Sequence, residues 1–463
     1  VIIEGVARMS DWLIVAIAGL AMRGATGAGL EPTTTNLLAV PLVASLVILA
    51  TQALQGFSLT TLRSPRRAGL RLALVWIVVF GLATFACHAT RLDATEQARW
   101  ITRWALGSFI AVVAARWVLL VVAVSLARAG RLSRRVALVG GGDAAVNLLE
   151  ELTARDPDNL EIVGVFDDRK GSRRADVVAG YPRLGDIDDL VAYARHTRLD
   201  MAILTLPLGA EHRLLALLRK LWIVPMDIRV AARGTKLTFR PRAYSHVGGI
   251  ALLDLCDRPI ADWDLVLKTA LDRVLGLFCL ILASPVMLAV AVAIKIETPG
   301  PVLFRQTRYG FNNELITISK FRSMYADRLD FDAARLVSRS DPRVTRVGRF
   351  IRRASLDELP QLFDVVFRGD LSLVGPRPHA IEAKACDRLY DEIAEDYHAR
   401  HRVRPGMTGW AQINGWRGGT TRPDEIRKRV ECDLYYIEHW SPLFDLYILA
   451  LTPWSLLTTK NAY

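Results

Sequence analysis

Hydrophobic and polar positions divide this chain into three stretches. Before residue 130, long apolar runs alternate with short polar ones. The runs 37–57, 70–90 and 104–127 are each long enough to cross the ~30 Å core of a bilayer as a helix. A fourth run, 11–30, is glycine-rich and carries Arg23, so it is the weaker span. Arg116 lies inside the last run and is expected to face a helix partner or the lipid interface. The first stretch therefore reads as a four-helix transmembrane region, 1–128.

The second stretch, 131–245, changes to short apolar runs separated by amphipathic ones. "RVALVGGGDAAVNLLEEL" reads as strand, glycine turn and helix, with Gly140 and Gly142 in the positions of a dinucleotide-binding fingerprint. "LEIVGVFDDRK" then reads as a strand ending in Asp167 and Asp168, and 199–207 and 222–230 as further buried strands. This is the pattern of a Rossmann-like α/β domain. The glycine turn makes Gly140 and Gly142 weak cofactor contacts. The domain is short, no Tyr-x-x-x-Lys pair follows, and a scaffold or oligomerisation role is preferred for it.

A third kind of pattern begins with "VLGLFCLILASPVMLAVAVAI", residues 274–294, an apolar run with Ser284-Pro285 almost at its middle. Proline removes a backbone donor where the helix would need it. Lys268 and Arg273 flank the run on one side, and Lys295, Arg305 and Arg308 on the other. Positive charge at both ends suits a segment, 262–297, that enters the membrane and returns to the same face, with its break at Ser284 and Pro285. Ser284 would satisfy a carbonyl freed by Pro285. An ordinary kinked fifth span is the alternative.

Charge adds direction. The chain has 463 residues, 52% of them hydrophobic, and a net charge of +12. With so much apolar sequence, a membrane surface or phosphorylated substrates suit that charge better than nucleic acid does. Arg63, Arg66, Arg67 and Arg71 lie between the second and third runs, and Arg128, Arg131, Arg134 and Arg135 follow the fourth. The positive-inside rule puts both groups, and everything after residue 128, on the cytoplasmic side. Five scattered cysteines without a CxxC pair support neither a disulfide framework nor a zinc site. No cleavable signal peptide is evident, and the opening "VIIEGVARMS" lacks a methionine, which suggests that the natural start lies upstream.

Candidate chemistry concentrates after residue 298. In "SDPRVTRVGRFIRRASLDELPQLFDVV", Arg343, Arg346, Arg349 and Arg352 recur every three residues and would line one side of a helix. A solvated face is the plain reading; a facing phosphate is the functional one. "SLDELP" has capping-box spacing, Ser355 to Glu358, with Pro360 near a first turn, and so reads as a helix start. The same Asp357-Glu358 pair could hold a divalent cation or attack a phosphorus atom. "KFRSM" supplies Lys320 and Arg322, "GDLSLVGPRP" holds Arg377 in a rigid turn, and "RPGMTGWAQINGWRGG" presents Trp410 and Trp416.

Taken together, these motifs resemble the bacterial sugar transferase family, the polyprenyl-phosphate hexose-1-phosphate transferases, over residues 262–463. The whole chain resembles the large subclass: four spans, an α/β domain, a re-entrant helix, and a mostly helical monotopic catalytic domain, 298–463, ending in interfacial helices. "NGWRG" resembles members that use UDP-glucose. The resemblance implies a ping-pong reaction. Asp357 attacks the sugar-linked phosphate of a UDP-sugar, UMP leaves, and undecaprenyl phosphate takes the sugar phosphate. Glu358 assists and helps hold Mg²⁺, and Lys320, Arg322, Arg352 and Arg377 contact phosphate, with Arg349 and Arg353 as weaker contacts. The implied setting is the bacterial inner membrane, with the catalytic domain in the cytoplasm, membrane lipid as a partner and a homo-oligomer compatible with it. Asp364 and Cys432 depart from the family pattern, which leaves UDP-galactose as an alternative donor. An NAD-dependent nucleotide-sugar enzyme and a silent membrane scaffold are the alternatives of another class.

Overall fold

The computed structural model describes residues 2–24, 34–54, 56–57, 65–89, 94–128, 133–155, 160–169, 176–205, 211–231, 244–247, 250–328, 341–379, 384–385, 388–394, 396–416, 418 and 422–458. Arg63, Arg131 and Arg417 lie outside them, as does the end of the 11–30 run. The chain forms two compact units, Val1–Ser133 and Arg134–Tyr463.

The first unit is a bundle of α1 (Ile2–Gly24), α2 (Thr34–Ala53), α3 (Pro65–Ala89) and α4 (Ala94–Arg128). Its core is aromatic: Trp76, Phe80, Trp100 and Trp104 pack together, and the Trp104 and Trp100 indoles donate to the Val15 and Gly19 carbonyls at 2.7 and 3.0 Å. Gly19 is needed there, because a Cβ would lie 2.7 Å from the Trp104 ring. Arg116 does face a helix partner, bonding Asp11 of α1 at 2.7 Å. Four helices among the described residues are long and apolar enough to cross a membrane: Ile2–Arg23, Ala68–Ala89, Gln97–Leu126 and Asp262–Glu297. The weak-looking first run is thus among the long helices. The apolar part of α2, Leu38–Ala53, is shorter than its run of 37–57 suggests.

The second unit opens with an eight-stranded sheet of order β3-β4-β2-β1-β5-β6-β8-β7. The strands are β1 (Arg134–Val139), β2 (Leu160–Phe166), β3 (Val177–Val178), β4 (Tyr181–Gly185), β5 (Met201–Leu204), β6 (Asp227–Ala231), β7 (Tyr244–Val247) and β8 (Ile250–Cys256). The centre, from β4 to β6, is parallel, and β8 joins β6 antiparallel. β5 is buried at all four residues, as a central strand covered on both faces must be. The covering helices are α5 (Asp143–Arg155), α6 (Ile187–His196) and α7 (Glu211–Leu221). The sheet runs on to Cys256, so the α/β domain extends past the boundary of 245.

The rest of the unit is built on α8, Asp262–Glu297, a helix of 36 residues and so about 54 Å long. It stays helical through Ser284-Pro285, so the expected break is a missing bond inside a continuous helix. Pro285 leaves the Ile281 carbonyl without its backbone partner, and the Ser284 hydroxyl donates to that oxygen at 2.8 Å. One stripe of α8, from Lys268 through Asp272, Gly276, Leu280, Met287 and Val290 to Ile294, is buried. The opposite side exposes Phe278, Ile281, Leu282 and Leu288.

Against the buried stripe pack the hairpin β9 (Leu303–Tyr309) and β10 (Leu315–Phe321), helix α9 (Arg346–Arg353), the parallel pair β11 (Ser372–Val374) and β12 (Gly406–Thr408), and helices α10 (Pro423–Glu438) and α11 (Pro442–Thr458). Lys268, read above as a flanking surface charge, is buried and bonds Asp272, Asp445 and the Val374 carbonyl. Tyr436 donates to the same carbonyl and to Asp445. At the other end, the Glu297 carboxylate accepts from the first two amides of α9 at 2.7 and 3.0 Å.

Candidate active site

The Asp-Glu pair opens a helical run, as expected of a helix start: a 3₁₀ turn at Leu356–Glu358 continues through Gln361–Phe363 into Asp364–Arg368. Thr345 caps α9 by accepting from the Gly348 amide, and the helix ends at Arg353. Ser355 then takes a left-handed conformation, φ 57°, and Leu356–Glu358 form one 3₁₀ turn. Ser355 makes no side-chain cap, so the capping box is not formed. Glu358 is turned the other way, into a pair of cations. Lys320 at the end of β10 donates to it at 3.0 Å, and both terminal nitrogens of Arg377 donate to it.

Arg377 is held by the backbone around it. Gly375 lies so close to β12 that a Cβ would be 2.5 Å from the Arg404 carbonyl, which accounts for the glycine of "GPRP". The Gly375 amide donates to Thr408 and the Gly406 amide to Pro376. Arg400, buried and paired with Asp433 at 2.7 Å, donates to the Arg377 carbonyl.

The two carboxylates differ electrically. Burial alone would raise both. At Glu358, Arg377 and Lys320 outweigh burial and hold the carboxyl well below the usual range. At Asp357, burial and then the neighbouring Glu358 charge outweigh the pull of Lys320, Arg352 and Arg377, and its pKa rises to about 6. Asp357 accepts no hydrogen bond from a described side chain. Arg308, from β9, is a cation that the motif reading passed over. Burial first, and then Arg377, lower it to about 10, and its Nε is buried with no partner. Its sequence signal was only one of several basic residues in a strand.

Four expected residues therefore meet: Asp357, Glu358, Lys320 and Arg377, with Arg352 close enough to lower Asp357 electrostatically. Arg322 does not join them. It is 1% exposed, and its guanidinium donates to Pro299 O, Thr298 O and Thr298 Oγ1 at 2.6–3.0 Å, pinning the end of α8. Arg343 precedes α9 and pairs with Asp341, so the arginine stripe is shorter than its spacing suggested; Arg346, Arg349 and Arg353 are exposed. Asp364, where the sequence departs from the family, is 1% exposed and accepts from the Ser319 amide and Arg368. Burial, Asp433 and Glu431 push the other departure, the Cys432 thiol, up to about 11.

In the α/β domain, Gly140 and Gly142 do form a left-handed turn, at φ 105° and 82°. The chain covers that turn itself. Arg169 reaches over it, within 2.7 Å of where a Gly141 Cβ would stand, and pairs with the strand-end Asp167 at 2.9 Å.

A polar turn bearing two carboxylates and converging cations, set beside a membrane helix, defines a membrane enzyme that handles phosphate esters. Residues 263–459 match the description "Bacterial sugar transferase", and 52–232 match "CoA-binding domain". The "UDP-glucose:undecaprenyl-phosphate glucose-1-phosphate transferase" of Xanthomonas campestris pv. campestris is 34% identical over 410 residues, covering 87% of this chain and 84% of that protein. The protein of the same name from Escherichia coli (strain K12) is 36% identical over 369 residues, covering 80% and 77%. The "Undecaprenyl-phosphate glucose phosphotransferase" of Komagataeibacter xylinus is 41% identical over 341 residues, 72% of this chain but 61% of that protein's length. The chain belongs to the bacterial sugar transferase family.

Proposed function

We propose that the chain transfers glucose-1-phosphate from UDP-glucose to undecaprenyl phosphate, with Asp357 as nucleophile. The observation that carries this reading is the asymmetry of the pair. Glu358 has taken both fixed cations, whereas Asp357 beside it has no hydrogen-bond partner among the described side chains. An ionised, unpartnered carboxylate in a cationic pocket is equipped to attack phosphorus. Its oxygen bonds the sugar-linked phosphorus, the bond to the bridging oxygen breaks, and UMP leaves with that oxygen. A phosphate oxygen of undecaprenyl phosphate then attacks the same phosphorus, and the aspartyl bond breaks to restore the carboxylate. Arg308, Lys320, Arg352 and Arg377 offset the charge of the meeting anions.

Mg²⁺ is usually held sparsely, by one or two carboxylates with substrate phosphates and water, and Glu358 would supply the carboxylate here. Bound there, it would neutralise phosphate charge. The apolar groove of Val286, Ala289, Val290, Ala293, Val347 and Phe350, which runs to Leu356 beside the nucleophile, suits a polyprenyl chain.

The reading places the site on the cytoplasmic face of the bacterial inner membrane. Lys268 and Glu297 are 29 residues apart on α8, about 44 Å, yet residues 342–463 bond both. Were α8 to cross the bilayer, one soluble body would have to reach both faces. This supports a helix whose two ends return to one side, with α11 lying in the interface. Two experiments test the proposal. Purified protein given UDP-glucose, Mg²⁺ and undecaprenyl phosphate releases UMP, and Asp357→Asn abolishes it; release by that variant rejects the nucleophile. A cysteine at exposed Asp424, in a chain without its own cysteines, is labelled from the cytoplasm; labelling from the other face alone rejects the topology.

A further inference from the structure

A cavity of about 320 Å³ lies between the α/β domain and the transferase part, within the second unit. None of Asp357, Glu358, Lys320 or Arg377 lines it. Its walls bring together the end of α6, the turn before β6, the tip of the β9–β10 hairpin and the segment before β12. Five arginines line it, Arg195, Arg198, Arg258, Arg402 and Arg404, against a single acid, Glu314.

Two of the five, Arg198 and Arg258, are paired with Asp200. Arg195, Arg402 and Arg404 have no carboxylate partner among the described residues. Arg402 is 6% exposed, stacked over Trp222, and its Nε is buried without an acceptor; the Nε of Arg195 is in the same state. Asn312 is 9% exposed. Its amide nitrogen donates to the Ala194 carbonyl at 2.7 Å, and its Oδ1 is buried with no donor. The Nε of Arg258 is buried without an acceptor too, and buried polar atoms are normally satisfied, so three orphan cationic donors and one orphan acceptor on one cavity ask for a ligand carrying both kinds of partner. Leu199, Val224, Phe311 and Tyr436 add apolar wall.

We propose that this cavity binds a nucleoside phosphate at a site separate from the Asp357 turn. Phosphate oxygens answer Arg195 and Arg402, an N–H or O–H of the nucleoside answers Asn312, and the apolar wall takes the flat base. The volume is at the small end of the ~300–1,000 Å³ range of ligand cavities, which favours a mononucleotide over a dinucleotide. A phospholipid headgroup is the other source of phosphate, since Leu265 and Lys268 of α8 also line the cavity.

The test is photolabelling of the full chain in nanodiscs of zwitterionic lipid, with 5-azido-UMP and 8-azido-AMP, followed by peptide mapping. At least one probe labels peptides from 194–199, 222–226 or 311–314. Excess unlabelled nucleotide competes, whereas inorganic phosphate and added anionic lipid do not. Arg195→Gln, which breaks no described bond, weakens the labelling at least tenfold and keeps its UMP release. Asn312→Gly preserves the left-handed backbone at φ 53° and does the same to labelling. Labelling confined to peptides carrying Lys320, Asp357 or Arg377, no labelling at millimolar probe, equal competition by anionic lipid, or wild-type labelling of Arg195→Gln would each overturn the site. Because binding is read directly, it stands or falls apart from the transfer reaction.

Discussion

Replacing Arg322 by methionine separates a motif from its structural role. The guanidinium donates three hydrogen bonds, to Pro299 O, Thr298 O and Thr298 Oγ1, and lies where a Cβ on Gly300 would come within 2.7 Å of it. Methionine keeps the stem and removes every donor. Hydrogen bonds to charged groups contribute about 1.5–3 kcal/mol each, and a buried acceptor left bare loses its hydration as well. Relaxation makes three such losses less than additive, and a total of about 3–5 kcal/mol follows. If that loss falls on the unfolding barrier, 3 kcal/mol speeds inactivation by about a hundredfold, at 1.36 kcal/mol per factor of ten. The assay is the half-life of UMP-releasing activity in nanodiscs at a fixed temperature, with KM for UDP-glucose measured before any decay. Arg322→Met loses its activity fast with nearly normal KM, and Lys320→Met does the opposite. A stable Arg322→Met protein with a tenfold higher KM would refute the reasoning and return Arg322 to the phosphate contacts.

Three further outcomes follow. With the Asp357 pKa raised to about 6, the nucleophile is ionised above that pH and protonated below it, so UMP release falls on acidification about two units earlier than an ordinary aspartate near 3.9 would allow. Glu358→Gln removes the like charge and frees two cations, moving that acid limb downward; a limb near pH 4 in the parent, or an upward move in the variant, contradicts the assignment. Gly375→Ala pushes a methyl to 2.5 Å from the Arg404 carbonyl, displacing Arg377, and kcat falls at least tenfold with the carboxylate pair intact; unchanged kcat would show that β11 and β12 can part. In the bundle, Asp11→Leu strands Arg116 and costs about 3–5 kcal/mol of stability, whereas Asp11→Leu with Arg116→Met recovers most of it. Thermal unfolding in detergent reads this directly, and a double variant as weak as the single one would oppose it.

The elements most legible in the sequence were those set by periodicity. The apolar runs, the parallel strands and the pairing of Ser284 with Pro285 all follow from local chemistry. The patching bond even falls on Ile281, the carbonyl four residues before the proline. What failed was local pattern overruled by distant partners. Ser355 and Glu358 have capping-box spacing, but Lys320 and Arg377, 38 and 19 residues away in sequence, draw Glu358 out of it. Lys320 and Arg322 share a motif and would share a face of one strand, yet β10 ends at Phe321, so Lys320 emerges at the site while Arg322 leaves the strand and is buried beneath the end of α8. Lys268 looked like a membrane-flanking charge because its partner Asp445 lies 177 residues on. The hint available was Asp272, one helical turn away.

The long helix α8 explains why a soluble donor and a lipid acceptor can meet at one turn. Its last residues hold α9 through Glu297, and α9 leads within a few residues to Asp357. Its first turns hold β11 through Lys268 and Asp272, and β11 leads directly to Arg377. The nucleophile and the arginine facing it are therefore hung from the two ends of the same element. The side of that element away from them is bare hydrocarbon, with Phe278, Leu282 and Leu288 among its most exposed residues. A force that seats this face in lipid also fixes the spacing of the two halves of the site. In the proposed topology both ends of α8 share one side of the membrane, which keeps the Glu358–Arg377 ion pair on one surface. The pair is formed, with Glu358 only 15% exposed. The ion pair and the apolar face both suit the proposed topology, a helix whose two ends share one side of the membrane.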